Sequence, residues 1–208
     1  MATVRSYWRR YAGLFSLGAA ALAVLVSSPA AAQFSDSYNF LKAVRDRDGA
    51  KATDLLGSGG SSIIDTRDKS TGESALHIAT KRRDTAWMGF LLGKGARVDI
   101  KDNDGNTPLM ITAQLGFPEG ADLLIGRRAA VDATNGSGET ALIMAAQRRD
   151  NALVRLLLTA GANPDKADTI AGMSARDYAK RDGRSEAILK LMDEIKAKPR
   201  PKAAGPSL

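Results

Sequence analysis

Residues 72–79 read Gly-Glu-Ser-Ala-Leu-His-Ile-Ala, residues 105–112 read Gly-Asn-Thr-Pro-Leu-Met-Ile-Thr, and residues 138–145 read Gly-Glu-Thr-Ala-Leu-Ile-Met-Ala. The three stretches start 33 residues apart. Outward from them, Leu91-Leu92, Leu124-Ile125 and Leu157-Leu158 keep the same period, and Gly95-Ala96 and Gly161-Ala162 close two of the units. A fourth copy, Gly172 to Ala179, follows after 34 residues. Its helix has turned polar, as suits a terminal unit with one face in water. Upstream, Leu41-Lys42-Ala43 and Leu55-Leu56 fit the frame as a degenerate first unit. A fixed period of this size marks a stack of small units, none of which can bury its apolar face alone.

Each unit carries start and stop signals for two helices. Ser74, Thr107, Thr140 and Ser174 precede apolar helical stretches, where a hydroxyl can accept from the free N–H groups of the first turn. Pro108 falls at a first helical position, where its missing N–H costs nothing. Asp48, Asp84 and Asp150 stand where the second helices start, each a good N-cap. The third unit uses Phe117-Pro118-Glu119 instead, with Glu119 near the positive end of the helix dipole. Gly95 and Gly161 suit the left-handed residue that ends a helix. Leu76, Ile78, Met88, Leu91, Leu92, Leu109, Ile111, Leu124, Leu142, Met144, Val154, Leu157 and Leu158 recur at helical spacing and are the predicted core.

The period of 33, with Thr107-Pro108-Leu109 carrying T-P-L and Leu76-His77-Ile78-Ala79 carrying L-H-x-A, resembles the ankyrin repeat family over residues 39–195. The resemblance implies an all-α solenoid of helix–turn–helix units with β-hairpin-like fingers, about five repeats including degenerate caps. The units run 39–66, 67–101, 102–134, 135–168 and 169–195. It further implies a non-catalytic protein–protein interaction module that binds through its fingers and concave helical face. Some periplasmic members are associated with oxidative-stress enzymes such as catalase, so a helper role for such an enzyme is also implied by resemblance. Arg47, Arg83 and Arg149 depart from the family, whose repeats usually carry Gly between the two helices; Arg128 likewise replaces a helix-ending glycine. A non-glycine residue at positive φ costs on the order of 1 kcal/mol. A basic residue at a helix C-terminus is favourable to the dipole and offsets part of that cost.

The ends of the 208-residue chain read differently. Residues 1–32 join a positive start (Arg5, Arg9, Arg10) to an apolar run over Ala12–Val26, then Ser27-Ser28-Pro29 and the small Ala30-Ala31-Ala32. This is the order of a secretory signal peptide with cleavage after Ala32, an uncleaved N-terminal anchor being the alternative, and its alanine-rich style points to a bacterial periplasm. Residues 33–38 are expected as a short linker. Residues 196–208 form a basic Pro-rich tail, expected to be disordered. Membrane contact is expected only through the signal peptide before cleavage, or weakly through this tail, which also offers the alternative of an envelope tether. Removing both ends leaves 23 basic and 23 acidic residues, so the formal charge of +7 belongs to the termini. A neutral body argues against nucleic-acid binding. The chain has no Cys and one His, which excludes disulfides, thiolate zinc sites and Cys nucleophiles.

By resemblance the working face consists of finger residues Asn103, Asp104, Asn106, Ser137 and Glu139 and of the first-helix ends Lys81, Arg82, Gln114, Leu115, Gln147 and Arg148. Leu115, expected to be exposed and apolar, is the predicted hot spot. His77 sits in the family motif and is expected to be a hydrogen-bonded structural residue. Asp102 and Asp104 are expected at finger tips, with ordinary, water-exposed carboxylates. The run Asp99–Asn106 resembles a calcium loop, but Met110 stands where the bidentate Glu would be, so no metal is expected. Trp87 and Phe90 are expected to pack against the neighbouring repeat, and 57–62 to be a flexible turn. No catalytic constellation, cofactor or self-association is expected: the chain reads as a monomer whose partner is another protein, and not as an enzyme.

Overall fold

The computed structural model describes residues 29–58, 63–183 and 185–196, and among them finds ten helices in five consecutive antiparallel pairs. The pairs are α1 (Pro29–Asp46) with α2 (Gly49–Ser58), α3 (Ala75–Lys81) with α4 (Thr85–Gly93), α5 (Pro108–Leu115) with α6 (Pro118–Gly126), α7 (Ala141–Gln147) with α8 (Asn151–Thr159), and α9 (Ala175–Asp182) with α10 (Glu186–Lys196). First helices α1, α3, α5, α7 and α9 stand side by side in one layer, and α4, α6, α8 and α10 form a second.

The capping signals act where the sequence places them. Ser74, Thr107, Thr140 and Ser174 each accept from the backbone N–H three residues on. Asp48, Asp84 and Asp150 do the same for the second helices. Phe117 makes no side-chain cap, and Pro118 there removes one of the donors that would need one. Between neighbours on both sides, α3 and α7 bury six of their seven residues, from Ala75 to Thr80 and from Ala141 to Ala146. The buried hydroxyls of Thr80 and Thr112 are satisfied by donating to Leu76 and Leu109 carbonyls of their own helices. Leu76, Met88, Leu91, Leu109, Leu124, Leu142, Leu153 and Leu157 are all but fully buried in one continuous core.

Three ladders with a rise of about one repeat hold the units in register. Along the fingers, Asn103 N–H donates to the Thr71 carbonyl (3.0 Å), Gly136 to Asp104 (2.8 Å) and Thr169 to Ser137 (2.9 Å). Behind the fingers, Asp65, Asp99 and Asp132 accept from the N–H groups of Arg97, Ala130 and Asn163 at 2.8–2.9 Å. At the helix–helix corners, Arg47 donates to Asp84, Arg83 to the Leu115 carbonyl, and Arg149 pairs with Asp182. Arg47, Arg83, Arg149 and Arg128 all sit at positive φ, 57–63°. Three of the four send their guanidinium to the next repeat, which adds a purpose beyond the dipole for a side chain where glycine would be less strained.

Several expectations are revised. The fingers are single turns: no strand occurs among the described residues, only isolated antiparallel bridges Arg67–Ser74 and Ala167–Ser174. Residues 33–38 are not a linker but part of α1 (Pro29–Asp46). Residues 1–28 of the expected signal, 59–62 of the expected turn and 197–208 of the tail lie outside the described residues. Among the described residues no helix is long and apolar enough to cross a membrane.

Candidate functional site

The fingers and the ends of the first helices share one face. On it Asp104, Gln114 and Gln147 are exposed, and among the described residues no hydrogen bond engages the Asp104 carboxylate or the Gln114 amide. Gln147 reaches Glu139 only at 3.5 Å, while Glu139 is held more firmly by the Asn135 amide at 3.0 Å. Lys81, in the last turn of α3, pairs with Glu73, the residue just before its N-cap. Ser137 is half-buried and donates its N–H to Asn135. Asn103 bridges fingers, accepting from Arg67 and donating to the Ser70 carbonyl.

Four expected site or finger-tip residues turn out to be structural. Asn106 is buried: its N–H donates to Asp102, and its carbonyl meets His77 Nε2 at 3.0 Å. Asp102 is buried as well, and its Oδ1 accepts from Asp104 and Asn106 N–H, so it closes the turn rather than standing in water. Leu115 is half-buried and packs against the core, and is therefore no exposed hot spot. Arg82 is half-buried too: Nη1 donates to the Val44 and Arg45 carbonyls at the end of α1, and its guanidinium lies 5.9 Å over the Trp87 ring. Arg148 is exposed, yet its guanidinium lies against Gly116, in the space that a Cβ there would need.

His77 is fully buried and closes a capping box, its Nδ1 facing the Ser74 N–H and hydroxyl. Burial pushes its pKa down, against the opposing pull of the Asn106 carbonyl. A neutral imidazole with both nitrogens engaged has no free site for a substrate proton. At the α3–α4 corner, burial would raise the Asp84 carboxyl. The Arg47 hydrogen bond, the Trp87 N–H and the charges of Arg47 and Arg82 overcome that and hold it below the usual carboxylate range. Trp87 and Phe90 meet edge to face at 5.4 Å, and with Arg47, Gly49 and Ala86 they line an open cleft of about 250 Å³ facing the start of α2. A larger cleft of about 560 Å³ behind the fingers is lined by Arg67, Arg97, Asp99 and Lys101, and all four are already bonded to neighbouring loops. Among the described residues, no three His, Asp or Glu side chains converge as metal ligands would.

One surface feature is not signalled by the repeat pattern: the fourth finger, Asp168 to Gly172. Asp168 Oδ1 accepts from the N–H groups of Ile170, Ala171 and Gly172, and Oδ2 accepts from the Tyr178 hydroxyl at 2.7 Å. The Tyr178 bond is foremost in keeping the Asp168 pKa low. Ile170 rides on this braced turn, 79% exposed. An apolar residue two before the recurring glycine, where the other fingers have Ser70, Asn103 and Gly136, is the signal that would have found it.

With stack, corners and fingers in view, the sequence was compared with known proteins. The family described as ankyrin repeats (3 copies) matches over residues 40–135 and again over 110–202. The chain belongs to the ankyrin repeat family. An ankyrin repeat-containing protein of Treponema pallidum (strain Nichols) is 34% identical over 110 residues, 52% of this chain and 37% of that protein. Diacylglycerol kinase iota of Homo sapiens is 37% identical over 70 residues, 34% of this chain and 7% of the kinase. These matches thus span well under half the length of either relative. What the ankyrin fold brings with it is a protein–protein interaction module, whose stacked units offer an extended surface to a partner.

Proposed function

We propose that this ankyrin chain is a non-catalytic adaptor of the bacterial periplasm that binds an envelope protein along its finger and first-helix face. The observation that carries the reading is the set of exposed polar side chains there, Asp104, Gln114 and the weakly held Gln147, at a spacing held by the finger-to-finger hydrogen bonds. Side chains presented on a rigid frame lose little entropy on binding. The absence of catalysis is supported by His77, sealed in the core with both nitrogens engaged. Export is supported by the apolar run over Ala12–Val26 and the alanines before Gln33. Cleavage after Ala32 would take the first four residues of α1 and leave Phe40, Leu41, Ala43 and Val44, which carry its packing.

The test is affinity capture from a periplasmic extract with wild type and with the triple variant Asp104→Arg, Gln114→Glu and Gln147→Glu. These positions are exposed, so the variant should keep its helical circular dichroism. A protein retained by wild type and lost by the variant supports the adaptor; identical captures refute the assignment of this face. Mass spectrometry of the exported protein should show Gln33 as its first residue.

A further inference from the structure

The finger ladder ends at the fourth finger, which donates to the third and whose own equivalent carbonyl is left open. In each of the first three fingers, the carbonyl just before the positive-φ glycine (Thr71 before Gly72, Asp104 before Gly105, Ser137 before Gly138) accepts an N–H from the finger that follows. That finger comes so close that a Cβ on the glycine would lie 2.6 Å from Asn103 N, 2.7 Å from Gly136 N and 2.6 Å from Thr169 N respectively. The fourth finger repeats the geometry, with Ala171 before Gly172 at φ 63°. Here no N–H among the described residues reaches the Ala171 carbonyl, and nothing lies within 4 Å of a Cβ built on Gly172. The left-handed backbone accounts for the glycine itself. It does not account for Ile170, one of the two large apolar side chains that stand exposed among the described residues, placed at the open rung.

Helices at this end of the stack are closed by charge. Lys180, Glu186, Lys190, Asp193 and Glu194 are exposed on α9 and α10, and Arg176 is paired with Asp165 and Asp193. Another whole repeat, or a second copy stacked end to end, would have to bury these groups. A thin segment running along the finger row would not. Beside the rung, Arg181 lies 5.0 Å over the Tyr178 ring, and neither it nor Lys180 has a carboxylate partner among the described residues. The nearby acids are committed: Asp177 to the Ser174 cap, Asp168 to its own turn, Asp182 to Arg149 and Ser185, and Glu139 to the Asn135 amide.

We infer that the fourth finger is a docking ledge for an extended, acidic segment of a partner protein. That segment donates a backbone N–H to the Ala171 carbonyl, lays an aliphatic side chain on Ile170 and presents a carboxylate to Arg181. It thereby continues, in trans, the contact each finger makes within the chain, as strand addition extends an open edge. The inference rests on the reading of the chain as a protein-binding module and names one anchoring point and the chemistry that fits it.

A random dodecapeptide library displayed on phage and selected on the full chain tests this. Enriched peptides should pair an aliphatic with an acidic residue. Synthetic copies should lose about tenfold or more in affinity with Ile170→Asp, as expected for a central apolar anchor. They should weaken several-fold with Arg181→Ala, and methylation of a single backbone nitrogen should abolish binding. Because Ile170 is so exposed, Ile170→Asp should unfold no earlier than wild type, and urea titration checks that. The groove variant Asp104→Arg, Gln114→Glu, Gln147→Glu separates the two readings. Peptides sensitive to it but not to Ile170→Asp would overturn the ledge and leave the adaptor standing; the converse would keep the ledge and sink the groove. The ledge is also overturned if no peptide is enriched, if light scattering shows a dimer that Ile170→Asp dissolves, or if peptides bind only after deletion of 197–208.

Discussion

Arg128→Gly and Arg47→Gly make the same backbone change and should have different consequences. The two arginines sit at φ 63° and 61°. A left-handed conformation costs a non-glycine residue roughly 1–2 kcal/mol, and glycine gives back about 0.4–1 kcal/mol through its greater freedom when unfolded. The backbone alone therefore favours glycine by about 1 kcal/mol at either site. The Arg128 side chain has no partner among the described residues, so Arg128→Gly should stabilise by that amount. Arg47 instead donates to Asp84 at 2.9 Å from Nε and 2.5 Å from Nη2, and the receiving carboxylate is only 5% exposed. Because Arg47 itself is 64% exposed, the pair is worth only about 0–1 kcal/mol, to which the loss of a charged donor to a buried carboxylate adds about 1. Arg47→Gly should thus lie between neutral and about 1 kcal/mol destabilising. Urea unfolding followed by circular dichroism reads the difference as a shift in midpoint at constant slope. Equal stabilisation by the two substitutions would show that the corner contact contributes nothing and that these arginines are merely tolerated.

Two further outcomes follow from the buried site groups and the fingers. His77 is the chain's one histidine, so its imidazole proton resonance can be titrated without ambiguity. Burial should place its pKa below 6.5, and the unfolded chain takes up that proton first. Stability should therefore be full above about pH 6.5 and fall as pH drops toward the native pKa; titration at or above 6.5 would contradict the sealed environment. In the fingers, Gly105→Ala combines a φ of 82° with a Cβ 2.7 Å from Gly136 N, and should cost about 2–3 kcal/mol through strain and a lost interfinger bond. Gly172→Ala has the left-handed strain alone and should cost about 1, so equal losses in thermal unfolding would mean that finger stacking is not tight.

Much of the fold was legible because it rests on one-dimensional signals. Period, caps and turn glycines act within a unit, and Ser74, Thr107, Thr140 and Asp84 perform in space what their neighbours in sequence require. The site was less legible. Its side chains are long, and the repeat 33 positions away decides whether each is covered. Arg82, Leu115 and Arg148 occupy one repeat position and read alike as candidates for exposure. Yet Arg82 turns back to the end of α1, Leu115 is tucked against the core, and Arg148 lies over Gly116.

The sequence by itself determined the number of units, the place of every helix start between Ser74 and Ser174, the family, and the four positions where arginine must adopt a left-handed backbone. All of these follow from local sterics and hydrogen bonding that a few adjacent residues settle. Tertiary structure alone decided that the Asn106 carbonyl serves His77, that the corner arginines tie one repeat to the next, and that the Ala171 carbonyl stands open beside Ile170. Such contacts join residues about one repeat apart, and only stacking determines which polar groups find a partner and which face outward.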